Sequence, residues 1–209
     1  MTADAQLAAA WGDTWALEKR PSPGMALVEM SAPTEHWVFG YGSLMWRPGF
    51  PYAERAAATL AGRRRAFCIY SVHHRGTPDR PGLVLGLLEG GAVDGAAYRV
   101  EAEAWPTVLA YVRDREQPTE TYIEAVVEVR LRDGRKVAAV SYLSDMEHPQ
   151  WAGDLGLEAQ ARLIAGAAGL SGPNHVYLKD LVDHLRQVGA PDPAMERLLD
   201  RTLELLDAS

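Results

Sequence analysis

Ile123 to Leu131 is the segment that most narrows the fold. Ile123, Ala125, Val127, Val129 and Leu131 alternate with Glu124, Val126, Glu128 and Arg130, and only Val126 breaks the pattern. Strand side chains point alternately to opposite faces, so this period of two predicts a strand buried on one side. Asp133-Gly134 follows, a pair suited to a tight hairpin, and Val137 to Leu143 is the returning strand. An antiparallel pair with one apolar face needs a layer to cover it. Three helical stripes downstream can supply one. Leu157, Ala161, Ile164 and Ala168 form the first, with Gly169 expected as its C′ residue. Leu178, Leu181, Leu185 and Val188 form the second, ended by Gly189. Met195, Leu198, Leu199, Thr202 and Leu206 form the third, with Asp192 as cap and Pro193 in first position.

Upstream, Ala66 to Tyr70, Leu83 to Leu88 and Ala96 to Val100 are short apolar runs bounded by Gly, Pro or Asp, and read as separate strands. Trp105, Val108, Leu109 and Val112 fall at helical spacing, with Pro106 in the first turn. Pro118 stops that helix and pushes Gln117 out of the helical region, so Glu116 lies at or just beyond its C-terminus. Residues 5 to 18 form a short helix through Leu7, Trp11 and Trp15, and the proline-rich stretch from Arg20 to Pro33 reads as a linker. The organisation expected is residues 1–35 as N-terminal helix and linker, and residues 36–209 as the domain proper. Strands first and helices after predict an α+β fold, with helices around a strongly bent sheet or small barrel.

Bulk properties remove several classes of function. A chain of 209 residues that is 47% apolar can bury the core of one compact domain. The net charge of -7 and the lack of a long basic run argue against nucleic-acid binding. Arg63-Arg64-Arg65 runs straight into apolar residues and reads as a strand end. A single cysteine, Cys68, rules out an intrachain disulfide and fits a reducing compartment. The N-terminus lacks the pattern of a signal peptide, and no apolar stretch is long enough to cross a bilayer, so a cytoplasmic, soluble protein is expected.

Chemistry concentrates in a few places. Phe39-Gly40-Tyr41-Gly42-Ser43-Leu44 follows the apolar Trp37-Val38 and reads as a strand entering a Gly-rich turn. Glycine permits positive φ and close approach, and successive N–H groups can then cradle an anion. The plainer reading is a tight turn that needs small residues. Glu116, at a helix C-terminus, faces the negative end of the macrodipole, which raises its proton affinity and makes it a usable general base. Its plainer reading is a solvated partner of Arg113 or Arg115. Cys68, in an apolar strand, reads as a small buried hydrophobe and not as a nucleophile. His73-His74 has no spaced partners with which to hold a metal. Asn174, His175 and Tyr177 begin a helix after Ser171-Gly172-Pro173, either as ordinary capping or as groups facing a ligand.

These segments together resemble one family. Trp37 to Trp46 is similar to the signature of the ChaC-type γ-glutamylcyclotransferases. Arg65-Ala66-Phe67-Cys68, Arg115-Glu116 shortly before Tyr122, and Gly172-Pro173-Asn174-His175-Val176-Tyr177-Leu178 resemble later motifs of that family, in the same order. The resemblance covers about residues 36 to 188. It implies a lyase that cyclises the γ-glutamyl group of glutathione to 5-oxoproline and releases Cys-Gly, with no metal and no cofactor. It implies Glu116 as acid/base, and Val38, Phe39, Gly40, Tyr41, Gly42, Ser43, Leu44, Arg65 and Tyr177 around the substrate. Pro118-Thr119-Glu120-Thr121 departs from the family pattern and adds a second carboxylate, Glu120; Glu116 is favoured because it directly follows Arg115. A small-molecule substrate is the only partner implied, in a monomer or weak homodimer. The rival readings are a cyclotransferase for another γ-glutamyl amine or peptide, an inactive γ-glutamyl-binding module, and a thiol enzyme using Cys68.

Overall fold

The computed structural model describes residues 35–116 and 121–208. The helix expected over 5 to 18, the linker after it, and Gln117, Pro118 and Glu120 lie outside the described residues.

Five strands close into a barrel in the order β1-β3-β2-β4-β5. They are β1 (His36–Gly40), β2 (Glu54–Ser71), β3 (Gly82–Val100), β4 (Tyr122–Leu131) and β5 (Lys136–Ser144). Neighbouring strands run antiparallel, except that β1 and β5 close the barrel in parallel through Trp37↔Ala139 and Val38↔Val140. The alternation in β4 survives: Ala125, Val129 and Leu131 are buried, whereas Val126 is 60% exposed. Its hairpin to β5 turns at Gly134, with φ of 95°.

Sequence reading divided what the structure joins. Leu83–Leu88 and Ala96–Val100 are parts of one strand of 19 residues, β3, and Ala66–Tyr70 is the end of an 18-residue strand, β2. The glycines that look like strand ends are the bend in a continuous ladder. Ala61 pairs with Ala92 and Arg63 with Glu89, so the single residue Gly62 faces the pair Gly90-Gly91. These three glycines take φ of 77°, 90° and 71°, angles that side chains with a Cβ resist. Arg63-Arg64-Arg65 therefore sits inside β2 and not at its end. A second shift leaves Cys68 as the extra residue, and its carbonyl accepts from the Ala152 N–H at 2.8 Å.

Four helices are described: α1 (Trp105–Glu116), α2 (Leu157–Gly166), α3 (Asn174–Gln187) and α4 (Pro193–Asp207). The last three pack on one another beside the barrel. Leu178, Leu181 and Leu185 of α3 and Met195, Leu198 and Leu199 of α4 are buried, as their spacing requires. Asp192 caps α4 by accepting from the Ala194 and Met195 N–H groups. The first stripe needs correction. Ala161 and Ile164 are buried, but Leu157 is 45% exposed and Ala168 has left the helix. Ala167 turns extended (φ -111°, ψ 143°), and Gly169 lies in a two-residue strand, β6 (Ala168–Gly169), paired with β7 (Gly172–Pro173). A Cβ on Gly169 would stand 2.5 Å from the His73 carbonyl oxygen, so close approach to the loop after β2 explains that glycine. Trp37, Val38, Phe39, Phe67, Leu83 and Tyr98 are among the largest fully buried side chains of the main hydrophobic core. Each such side chain contributes about 1.5–3 kcal/mol on burial.

Candidate active site

Strand β1 leaves the barrel at Gly40 and enters a single 3-10 turn, Ser43–Met45. Neither Gly40 nor Gly42 takes a positive φ; space is what demands glycine here. A Cβ on Gly40 would lie 2.6 Å from the Leu44 Cβ, because the chain folds back on itself. A Cβ on Gly42 would point between Leu85 Cδ1 at 3.3 Å and the Tyr177 hydroxyl at 3.7 Å. Among the described residues, the N–H groups of Gly42, Ser43 and Leu44 donate to no carbonyl, as expected at the start of a helical turn.

The turn is anchored from behind. The Tyr41 hydroxyl donates to the Tyr142 carbonyl at 2.7 Å, and the Tyr41 carbonyl accepts from Arg65 Nε at 2.8 Å. Arg65 is 6% exposed and fully engaged: Nη2 donates to the Asp94 carbonyl at 2.6 Å, and Nη1 pairs with Asp192 at 3.1 Å. It thus ties the turn to β3 and to the cap of α4. Arg65 does not line the cavity, and Val38 is 0% exposed in the core.

An inner cavity of about 40 Å³ opens between the turn and the ends of α1, α3 and β4. Phe39 to Leu44 form one wall; Glu116, Tyr177, Tyr122, Tyr142 and Leu85 form the rest. The structure therefore brings together seven of the expected substrate contacts and the expected acid/base, and leaves out Val38 and Arg65. Glu116 is the last residue of α1, with its side chain about one-fifth exposed (21%). Burial raises its pKa above the ordinary 4.5, and Arg115, with Nε 3.3 Å from the carboxylate, only partly opposes this. Arg115 also reaches across to the turn, donating to Ser43 Oγ at 3.0 Å, to the Pro48 carbonyl at 3.1 Å and to the Arg47 carbonyl. It joins the helix that carries Glu116 to the loop that faces it. Arg113 is not a partner of Glu116; it forms a bidentate pair with Glu124, at 2.7 Å for both bonds.

Tyr41, Tyr122, Tyr142 and Tyr177 all have pKa values raised by burial, with the Glu116 charge adding to the effect, so each presents a neutral hydroxyl. Tyr122 donates to the Leu85 carbonyl at 2.6 Å, and Tyr142 to Glu124 at 3.0 Å. Tyr142 and Leu85 belong to the cavity although no motif marks them, and Tyr122 stands out in the sequence only as a neighbour of Glu116. The hairpin at Asp133-Gly134 carried a usable signal, because its register sets Tyr142 opposite Glu124.

Three other candidates resolve. Asn174 neither caps α3 nor faces a ligand: its side chain is 0% exposed and bonds both the N–H (2.7 Å) and carbonyl (2.8 Å) of Leu83. Cys68 is buried and its thiol is pushed up to about 12 by burial, which keeps it protonated. Among the described residues, no group of three or more His, Cys, Asp or Glu is placed to hold a metal ion.

Residues 36–205 match the family model described as ChaC-like protein. The chain is 37% identical over 194 residues to the glutathione-specific γ-glutamylcyclotransferase of Escherichia coli K12, covering 92% of this chain and 84% of that protein. It is 33% identical over 174 residues to human glutathione-specific γ-glutamylcyclotransferase 1, covering 80% and 78%. Among solved structures, a yeast γ-glutamylcyclotransferase specific to glutathione superimposes with a TM-score of 0.76 at 24% identity, over 84% of this chain and 98% of that one, and so shares the fold.

Proposed function

The chain belongs to the ChaC-like family, and from that premise we propose that it degrades glutathione by cyclising the γ-glutamyl group to 5-oxoproline and releasing Cys-Gly. The observation that carries this reading is the position of Glu116. It lines both the inner cavity and a larger outer groove of about 360 Å³, together with Ser43, Tyr122 and Tyr177. A substrate with its γ-glutamyl end in the inner cavity and the rest in the groove places its amide bond at Glu116.

The chemistry needs no external reactant. The substrate α-amine attacks its own γ-carbonyl carbon, a C–N bond forms, and the bond to the cysteine nitrogen breaks. Folding the γ-glutamyl chain into a near-attack geometry supplies most of the acceleration, because nucleophile and electrophile are already joined. The amine is mostly protonated near pH 7. Glu116, with its proton affinity raised by burial, takes the proton and returns it to the departing cysteine nitrogen. The N–H groups of Gly42 to Leu44 and the neutral Tyr177 hydroxyl are the donors for the substrate carboxylate or the developing oxyanion. Tyr41 shapes the wall, and Arg65 acts through the Tyr41 carbonyl to position the turn. A cytoplasmic site of action belongs to the same proposal, because the substrate and the single cysteine suit a reducing compartment.

The test is product analysis after incubation with reduced glutathione alone. Equimolar 5-oxoproline and Cys-Gly are expected. Free glutamate would mean hydrolysis, and no product from glutathione but turnover of another γ-glutamyl amine would move the assignment to that substrate.

A further inference from the structure

The outer groove carries positive charge that the inner site does not explain. The chain as a whole is acidic, at -7, yet Arg47, Arg75 and Arg115 face this groove, against Glu116 and Asp180. Arg115 is engaged by Glu116. Among the described residues, no carboxylate lies within 4.0 Å of Arg47 or Arg75, Asp180 included. Arg75 is half-buried and held in place by neutral groups. Its Nη1 donates to the carbonyls of Ser171 (2.6 Å) and Pro173 (3.4 Å), its own N–H donates to Ser71 Oγ at 3.0 Å, and its guanidinium carbon sits 5.1 Å from the Tyr177 ring centre. Those contacts orient the guanidinium without a contact ion pair, Asp180 acting on it only at longer range, and Nε and Nη2 make no hydrogen bond among the described residues. Tyr177 in turn lines both the inner cavity and the groove.

Resting on the γ-glutamylcyclotransferase reading, we propose that Arg75, with Arg47 beside it, is the binding site for the C-terminal carboxylate of the substrate's leaving dipeptide, and so selects γ-glutamyl peptides over uncharged γ-glutamyl amines. The fit is one of charge and reach. Beyond the scissile amide, glutathione with its thiol protonated bears one charge, the glycine carboxylate. Two extended residues reach about 7 Å, and the Arg75 guanidinium lies 5.1 Å from the ring centre of Tyr177, which itself lines the inner cavity. Arginine matches a carboxylate with two parallel hydrogen bonds, and a guanidinium already fixed over an aromatic ring loses little freedom on binding.

The experiment compares glutathione with its glycine ethyl ester, which differs only in that carboxylate, as substrates of the full chain. For the unaltered protein the ester is expected to show a KM about 10- to 100-fold higher, the range of a charge-assisted bond, with kcat within about 2-fold. Arg75→Gln is expected to raise the KM for glutathione by a similar factor while leaving the ester unchanged, so that discrimination disappears. Equal KM values for the two substrates with the unaltered protein overturn the carboxylate site while leaving the cyclisation intact. Equal losses on both substrates in Arg75→Gln assign Arg75 to the support of the β6–β7 turn and also overturn it. An unaltered protein that cyclises neither substrate overturns the functional reading itself. The ester comparison needs no substitution, so a poorly folded variant cannot obscure the answer.

Discussion

Replacing Glu116 by Gln isolates the proton-transfer role, because the amide keeps the size and shape of the carboxylate. The side chain sits at the mouth of the inner cavity, where burial raises its pKa and Arg115 is its near cation at 3.3 Å. Removing the charge relieves the cost of burying it, so the variant is expected to fold with unchanged or slightly higher stability. Catalysis is another matter. A positioned general base contributes about 10²–10⁴-fold, or about 3–5 kcal/mol of barrier. Glu124, a carboxylate bonded to the cavity residue Tyr142, cannot replace it. Arg113 holds it with two bonds of 2.7 Å, Tyr142 adds a third at 3.0 Å, and together they lower its pKa. The expectation is a fall in kcat of at least about 100-fold, with glutathione still bound. The pH profile supplies a second reading. Glu116 acts deprotonated, so kcat/KM should fall as pH drops through its pKa, and that limb should lie above the ordinary 4.5 because burial raises it. In Glu116→Gln the limb should vanish. 5-Oxoproline release followed from pH 4 to 9 by chromatography measures both. Turnover within 10-fold of the unaltered protein, with the acid limb intact, refutes the assignment and turns attention to Glu120.

Three further outcomes follow from single contacts. Gly42→Val should weaken glutathione binding by at least about 10-fold with little change in thermal stability, since its branches enter the space between Leu85 Cδ1 and the Tyr177 hydroxyl; calorimetric titration and a melting curve separate the two effects. Asn174→Ala should cost about 2–4 kcal/mol in urea unfolding, because it strands the buried N–H and carbonyl of Leu83, and a loss under 1 kcal/mol would mean that other groups satisfy them. His184→Phe should stabilise the fold in acid. Burial lowers the His184 pKa below 6.5, and its Nε2 is buried without a partner among the described residues, so the unfolded chain takes up the proton first as pH falls through about 6.5. Stability is then present above that pH and lost below it, and the advantage of the variant should grow from pH 7 to pH 5 in urea midpoints.

The sequence by itself determined whatever depends on neighbours along the chain. The alternation of Ile123 to Leu131, the turn at Asp133-Gly134, the Asp192 cap, and the place of Glu116 at the end of α1 are short-range consequences of side-chain period, turn geometry and proline. The Gly-rich turn was legible as a close-approach site for the same reason. The bend at Gly62 and Gly90-Gly91 was not, because glycines that end a strand and glycines that kink one look alike until the partner strand is known. Nor could the chain alone say that Gly169 meets a loop almost a hundred residues earlier, or that Asn174 pins β3. The cavity itself is a tertiary product. Closure of β5 onto β1 brings Tyr142 behind Tyr41, and the shift at Gly62 sets the register in which Leu85 pairs with Phe67. Arg65 was drawn behind the turn and not into the cavity because burying its charge required Asp192 and two carbonyls together, and only the folded barrel assembles those three groups around one guanidinium.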